Sequence, residues 1–231
     1  AVQEPPLLYD LTALQKEANS KLDFSADKTL TLAQSLYEKK VLSYPRTGSR
    51  YISEDVFEEI PSRITLLQQY PRFAIASVLR DTPLNRRSVD DAKVTDHHAL
   101  LITENLPEGL SKDEQAIYEM VAARLLEAFS PHCVKEMTDV TLSAGGGIFT
   151  LKGTAVRGEP EEEGEETTLP GLQTGETLPL LASETVEKQT KPKPLHTESS
   201  LLSAMEHCGK EISDEQLRAG IREVGIGTPA T

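Results

Sequence analysis

The chain has 231 residues, 38% of them hydrophobic and 26% charged, which is ordinary composition for a folded protein long enough to bury a core. No apolar run approaches the roughly 18 residues that a membrane-spanning helix needs, and two cysteines, Cys133 and Cys208, exclude a disulfide framework or a four-thiolate zinc site and fit a reducing, cytoplasmic location. The net charge of −13 argues against a simple nucleic-acid coat, but it is unevenly spread: Lys39–Arg50 holds four basic residues and no acidic one, while six glutamates crowd between Glu159 and Glu166.

In chain order, Leu11, Leu14, Ala18 and Leu22 recur at helical spacing, and Thr12 with Gln15 has the form of a capping box. Ser25 opens a second helix with Leu30, Ala33, Leu36 and Tyr37 on one face, ending near Lys39. An extended piece runs from Val41 to Ile52, and Ser53 starts a short helix that must end before Pro61. The clearest helix is Lys112–Phe129, with Ser111 and Glu114 as capping box, Ile117, Val121, Leu125 and Phe129 as its stripe, and Pro131 as its stop.

After Pro131 the texture changes. Thr138–Leu142 and Phe149–Ala155 alternate around Gly145-Gly146-Gly147, which predicts a β-hairpin. The stretch Arg157–Glu166 reads as a mobile acidic loop, and Leu172–Val186 as one or two more strands. Lys191–Pro194 reads as a hinge, followed by a helix from Glu198 to about Cys208 and another opened by Ser213. The chain closes on Gly225-Ile-Gly-Thr-Pro-Ala-Thr231, a turn that leads onward, so the sequence is expected to be a section of a longer protein.

The segment Ser43-Tyr-Pro-Arg-Thr-Gly-Ser-Arg-Tyr51 carries the chemistry. Pro45 holds its own φ and pushes Tyr44 into the extended region, where residues 44 and 46 share a side. A free phenol is only about one part in a thousand ionised at pH 7. A fixed cation beside it favours phenolate, and the same cation can hold a phosphate and stabilise charge building on its oxygens. Tyr44 and Arg46, with Thr47, Ser49 and Arg50 as nearby donors, thus suit tyrosine attack on a phosphodiester. The plainer reading is a strand with Tyr44 packed and both arginines solvated.

Four ordered motifs decide between them. Leu11–Ala18, Ala33–Tyr37 with Leu42–Ile52, Asp96-His-His-Ala-Leu-Leu-Ile-Thr103 and Gly225–Thr231 resemble the tyrosine-bearing region of type IA DNA topoisomerases, most nearly the bacterial topoisomerase III branch. The resemblance implies that Tyr44 is the nucleophile, joined transiently to a 5′-phosphate, that Arg46 holds the scissile phosphate, and that His97 contacts phosphate, with His98 the alternate. It places Thr228 and Thr231 against the DNA backbone; charge and position add Lys39, Ser49 and Arg50 as DNA contacts.

The implied fold is α+β and mostly α. A helical gate domain with the tyrosine spans residues 4–136. A small antiparallel β-rich arch domain is expected to follow at 137–194, with residues 1–3 read as its preceding strand, and residues 195–231 begin a truncated helical domain. The implied partner is single-stranded DNA, and no nucleotide cofactor is expected, in keeping with the lack of a phosphate-binding Gly-x-x-x-x-Gly-Lys loop. Magnesium is implied for the full-length enzyme, its ligands on an N-terminal Toprim domain outside this chain, so no metal ligand is assigned here and the chain alone is expected not to cleave DNA. The competing readings are a non-catalytic helical DNA-binding module and a tyrosine recombinase; the latter is disfavoured because His97 follows Tyr44.

Overall fold

The computed structural model describes residues 2–157, 172–208 and 226. By their internal contacts these fall into two units, one of residues 1–4 with 132–194 and one of residues 5–131 with 195–231. Both helix and antiparallel sheet are present, so the class is α+β.

The helical unit begins with α1 (Leu11–Leu22). Its cap is Asp10, whose carboxylate accepts from the Ala13 N–H at 2.6 Å, and not the Thr12–Gln15 pair expected from the sequence. Asp10 lies one step outside the apolar stripe, where an acceptor reaches the free N–H groups of the first turn; Thr12 is already helical. In α2 (Ala26–Glu38) the expected cap Ser25 accepts from the Lys28 N–H, and Thr29, Ala33 and Leu36 are buried. Tyr37, expected in the core with them, is 41% exposed, because it sits one residue around the helix from Leu36 and off the buried stripe.

Ser53 precedes α3 (Glu54–Glu58), and Pro61 lies in the first turn of α4 (Ile60–Leu67), where its missing N–H costs nothing. Neither α4 nor α5 (Ile75–Arg80) was marked by a capping pattern in the sequence. The 18-residue helix α6 (Lys112–Phe129) has the predicted bounds and the complete Ser111–Glu114 capping box. Ile117, Val121, Leu125 and Phe129 are fully or almost fully buried in one core with Leu14, Leu36, Leu42, Ile52, Ile64 and Leu100–Ile102. Further along the chain, α7 (Glu198–Glu206) packs on α1: Lys16 pairs with Glu206 at 2.8 Å, and the Ser199 N–H donates to the Asn19 side chain at 3.0 Å. The expected start of a separate helical domain near residue 195 therefore coincides, for α7, with a helix docked on the first one.

The β unit is a three-stranded antiparallel sheet in the order β1 (Val2–Gln3), β2 (Cys133–Ala144), β3 (Gly147–Arg157). Ala144 pairs with Gly147, so Gly145 and Gly146 form a two-residue loop with φ of +56° and +82°. Positive φ at both positions is the tight hairpin turn that matches strand twist, and glycine adopts it without a Cβ clash. The strands start at Cys133, earlier than the alternation at Thr138 indicated. Residues 172–186 form no strand: Leu178, Leu180 and Leu181 are exposed, Pro179 has no N–H to offer a ladder, and alternation without a paired neighbour leaves the backbone to water. The acidic stretch Glu159–Glu166, the helix expected after Ser213, and Thr228 and Thr231 lie outside the described residues.

Candidate active site

The site is built where α2 ends. Lys40 takes φ +61°, its N–H donates to the Tyr37 carbonyl at 2.8 Å, and the Val41 N–H donates to the Leu36 carbonyl at 3.0 Å. These two bonds and a left-handed residue make a Schellman stop, with the buried pair Leu36 and Val41 closing it on the apolar side. The Lys40 carbonyl accepts from Thr103 Oγ1 at 2.6 Å and Asn105 Nδ2 at 2.7 Å, so the reversal is held from a second segment.

From there the chain runs extended against residues 99–103. Leu42 bridges Ile102, the Ser43 N–H donates to the Leu101 carbonyl at 2.9 Å, and the Ser43 hydroxyl accepts the Leu101 N–H at 3.0 Å. Pro45 is buried, and its carbonyl accepts the Thr47 N–H at 3.0 Å, the two-residue span of a γ-turn centred on Arg46. The backbone thus turns at the arginine, where the sequence suggested plain extension. Arg46 is exposed and, among the described residues, has no hydrogen bond or ion pair within the protein. Tyr44 is half-buried. Its ring centroid lies 4.6 Å from that of His97, tilted 53°, and 5.4 Å from that of Tyr37, edge-on at 76°.

Thr47 is 2% exposed, and its hydroxyl donates to the His97 carbonyl at 3.0 Å while accepting the Ser49 N–H at 3.1 Å. Its carbonyl accepts the Leu11 N–H at 3.1 Å, satisfying a free donor of the first turn of α1. One residue therefore joins the arginine turn, the histidine segment and a helix start. The exposed His97 is the histidine brought to Tyr44; His98 directs Nδ1 at the Ala99 carbonyl, 2.6 Å away.

Three of the expected DNA contacts are occupied otherwise. Ser49 is 3% exposed, and its hydroxyl donates to the Lys93 carbonyl at 2.9 Å and accepts the Tyr51 N–H at 3.1 Å, leaving no hydroxyl proton to donate to a phosphate. Arg50 donates through Nε to the Leu8 carbonyl at 3.0 Å and its charge faces Asp10, whose carboxyl is pushed up by burial and partly restored by the Ala13 N–H and by Arg50. Lys39 is bound at 2.7 Å to Glu114, the residue that also caps α6 and accepts from Ser35 at 2.7 Å. Lys39, then the Ser111 N–H and the Ser35 hydroxyl, hold the Glu114 carboxyl down at about 2. Charge density alone could not separate these structural cations from the free Arg46. The contributions of Tyr37, Ser43, Thr103 and Asn105 were not legible either, since each acts through a partner distant in sequence.

Magnesium would need a carboxylate cluster, and no group of three or more His, Cys, Asp or Glu able to hold a metal exists among the described residues. The described residues do not fit such an ion.

The fold, with a tyrosine whose ring packs on a histidine and which stands two residues before an arginine that has no internal partner among the described residues, points to one class, and comparison with known proteins agrees. The family model for DNA topoisomerase matches residues 1–231. The chain is 35% identical over 247 residues to DNA topoisomerase 3 of Bacillus subtilis (strain 168) and 37% identical over 246 residues to that of Bacillus licheniformis, in each case across 98% of this chain and 34% of the relative. It is similar in structure to full-length topoisomerase I from Thermotoga maritima, with a TM-score of 0.66 and 25% identity over 100% of this chain and 37% of that one. The chain belongs to the bacterial DNA topoisomerase family, on the topoisomerase III-like side of type IA. It spans about a third of the length of these relatives.

Proposed function

We propose that this chain supplies the strand-breaking tyrosine of a type IA DNA topoisomerase. The observation that carries the reading is the placement of Tyr44: half-buried against His97, with its neighbour Arg46 exposed and unpaired among the described residues. A nucleophile needs a held ring and a reachable oxygen, and a phosphate needs a cation that no internal carboxylate has claimed.

In the proposed reaction Tyr44 Oη attacks the phosphorus of a single-stranded DNA backbone. An Oη–P bond forms, the P–O3′ bond breaks, the phenol proton is lost, and the departing 3′-oxygen takes up a proton. Arg46 binds the non-bridging oxygens and stabilises the charge that builds on them, with His97 as a second contact. Because the phosphotyrosine keeps the energy of the broken bond, the 3′-hydroxyl can attack it in reverse and no nucleotide is consumed. Between the two steps another strand passes. In this reading the helical unit acts as the gate and the β-hairpin belongs to the arch, while the magnesium-binding carboxylates lie elsewhere in the full-length protein.

The test uses the full-length protein and a single-stranded oligonucleotide. Label on the 3′ end should migrate with protein after denaturation, and label on the 5′ end should appear in a shorter free fragment. Tyr44→Phe should abolish the adduct. An adduct that survives Tyr44→Phe refutes the assignment, and attachment through a 3′-phosphate would indicate a recombinase-like polarity.

A further inference from the structure

Tyr37 is a large aromatic residue left outside the core. It is 41% exposed although its neighbour Leu36 is fully buried, and among the described residues its hydroxyl has no hydrogen-bond partner. Among the described residues its one aromatic contact is the edge-on packing with Tyr44, at 5.4 Å and 76°. The Schellman stop fixes the Tyr37 backbone through the Lys40 N–H and returns the chain so that a tyrosine seven residues later lies beside it. His97 contacts the same Tyr44 ring at 4.6 Å. A phenol in contact with two other aromatic rings has lost rotamer freedom, and an in-line attack depends on where that oxygen points.

We propose that Tyr37 is a positioning residue for the strand-cleavage step: with His97 it forms an aromatic clamp that holds the Tyr44 ring in its attacking orientation. This rests on Tyr44 being the nucleophile. The clamp works through the ring alone, so its hydroxyl is dispensable and phenylalanine can replace it.

The experiment measures two quantities on the full-length protein with one single-stranded oligonucleotide: the single-turnover rate of covalent adduct formation at saturating protein, and equilibrium affinity by fluorescence anisotropy. Tyr37→Leu is expected to slow cleavage about tenfold, the scale of one aromatic pair contact, while affinity stays within about twofold, as for a group that orients the ring without binding DNA. Tyr37→Phe should stay within about twofold of the parent in both, since it keeps the ring pair. If Tyr37→Leu does not fold, judged by its thermal melt, Tyr37→Gln takes its place at this exposed position. An unchanged cleavage rate overturns the clamp; so does a loss confined to affinity, or a Tyr37→Phe as slow as Tyr37→Leu. The two readings fail separately: an adduct in Tyr44→Phe removes the nucleophile, whereas inactive Tyr44→Phe with fully active Tyr37→Leu removes only the clamp.

Discussion

The Thr47 hydroxyl donates to the carbonyl of His97 across 50 residues of sequence, at 3.0 Å, and in doing so ties the turn that presents Arg46 to the segment that presents the histidine. Both partners of that hydroxyl are backbone groups in a place where Thr47 is 2% exposed. Thr47→Val keeps the shape and leaves the Ser49 N–H and the His97 carbonyl short of a partner, which should cost about 1–3 kcal/mol. Thr47→Ser should keep most of the stability. Urea unfolding of the two variants checks the difference, and adduct formation should fall in the same order.

Arg46 has the opposite profile. Exposed and unpaired among the described residues, it contributes little to folding, so Arg46→Ala should shift stability by no more than about 0.5 kcal/mol. Removing one preorganised group from a developing oxyanion typically costs about a hundredfold or more in rate. Arg46→Ala should therefore melt like the parent and lose about two decades of single-turnover cleavage. A destabilised Arg46→Ala would show that the guanidinium has a structural partner.

The ion pair of Lys39 with Glu114 gives the helical unit an acid-sensitive joint between α2 and α6. The Glu114 carboxyl sits at about 2 in the folded state against an ordinary value of 4.5. Because its folded value is the lower, the stabilisation is complete above about pH 4.5 and is lost as pH falls toward 2. Lys39 is 38% exposed, and screening reduces the contribution to about 1–2 kcal/mol. Glu114→Gln should lose that amount at pH 7 and show a flatter fall in stability between about pH 5 and 2, measured by denaturant titrations across the range.

Lys40 occupies the left-handed position of the α2 stop, at φ +61°. Glycine enters that region freely and lysine does not, so Lys40→Gly should raise stability by about 0.5–1 kcal/mol after the added freedom of the unfolded chain is counted. Lys40→Val should destabilise. Shifted urea midpoints with unchanged slopes check both.

Salt should weaken single-stranded DNA binding by the full-length protein, with a slope that reports the phosphates neutralised, and Arg46→Ala should make that slope shallower by about one ion. Lys39→Ala should leave the slope unchanged, since its charge is already answered by Glu114. A slope equally altered by both would return Lys39 to the DNA-contacting set.

Local chemistry settled the elements whose information is local. Ser111 and Glu114 with an i, i+4 stripe determined α6 to the residue, Ser25 started α2, and consecutive glycines at 145 and 146 made the hairpin loop, because caps, periodicity and φ preferences act within a few residues. The order of motifs around Tyr44 also determined the family. What only the tertiary structure decided is which side chains remain unspent. Four cations in Lys39–Arg50 look alike in sequence, yet Lys39 is claimed by Glu114 and Arg50 by the Leu8 carbonyl, while Lys40 and Arg46 face outward, Lys40 at the stop of α2 and Arg46 in the turn that follows Tyr44. Likewise adjacent histidines became distinguishable only when one ring met Tyr44 and the other turned to the Ala99 carbonyl. The reason is physical: helix and turn preferences depend on near neighbours, whereas the availability of a charge or a ring depends on what folding brings beside it from 40 to 80 residues away.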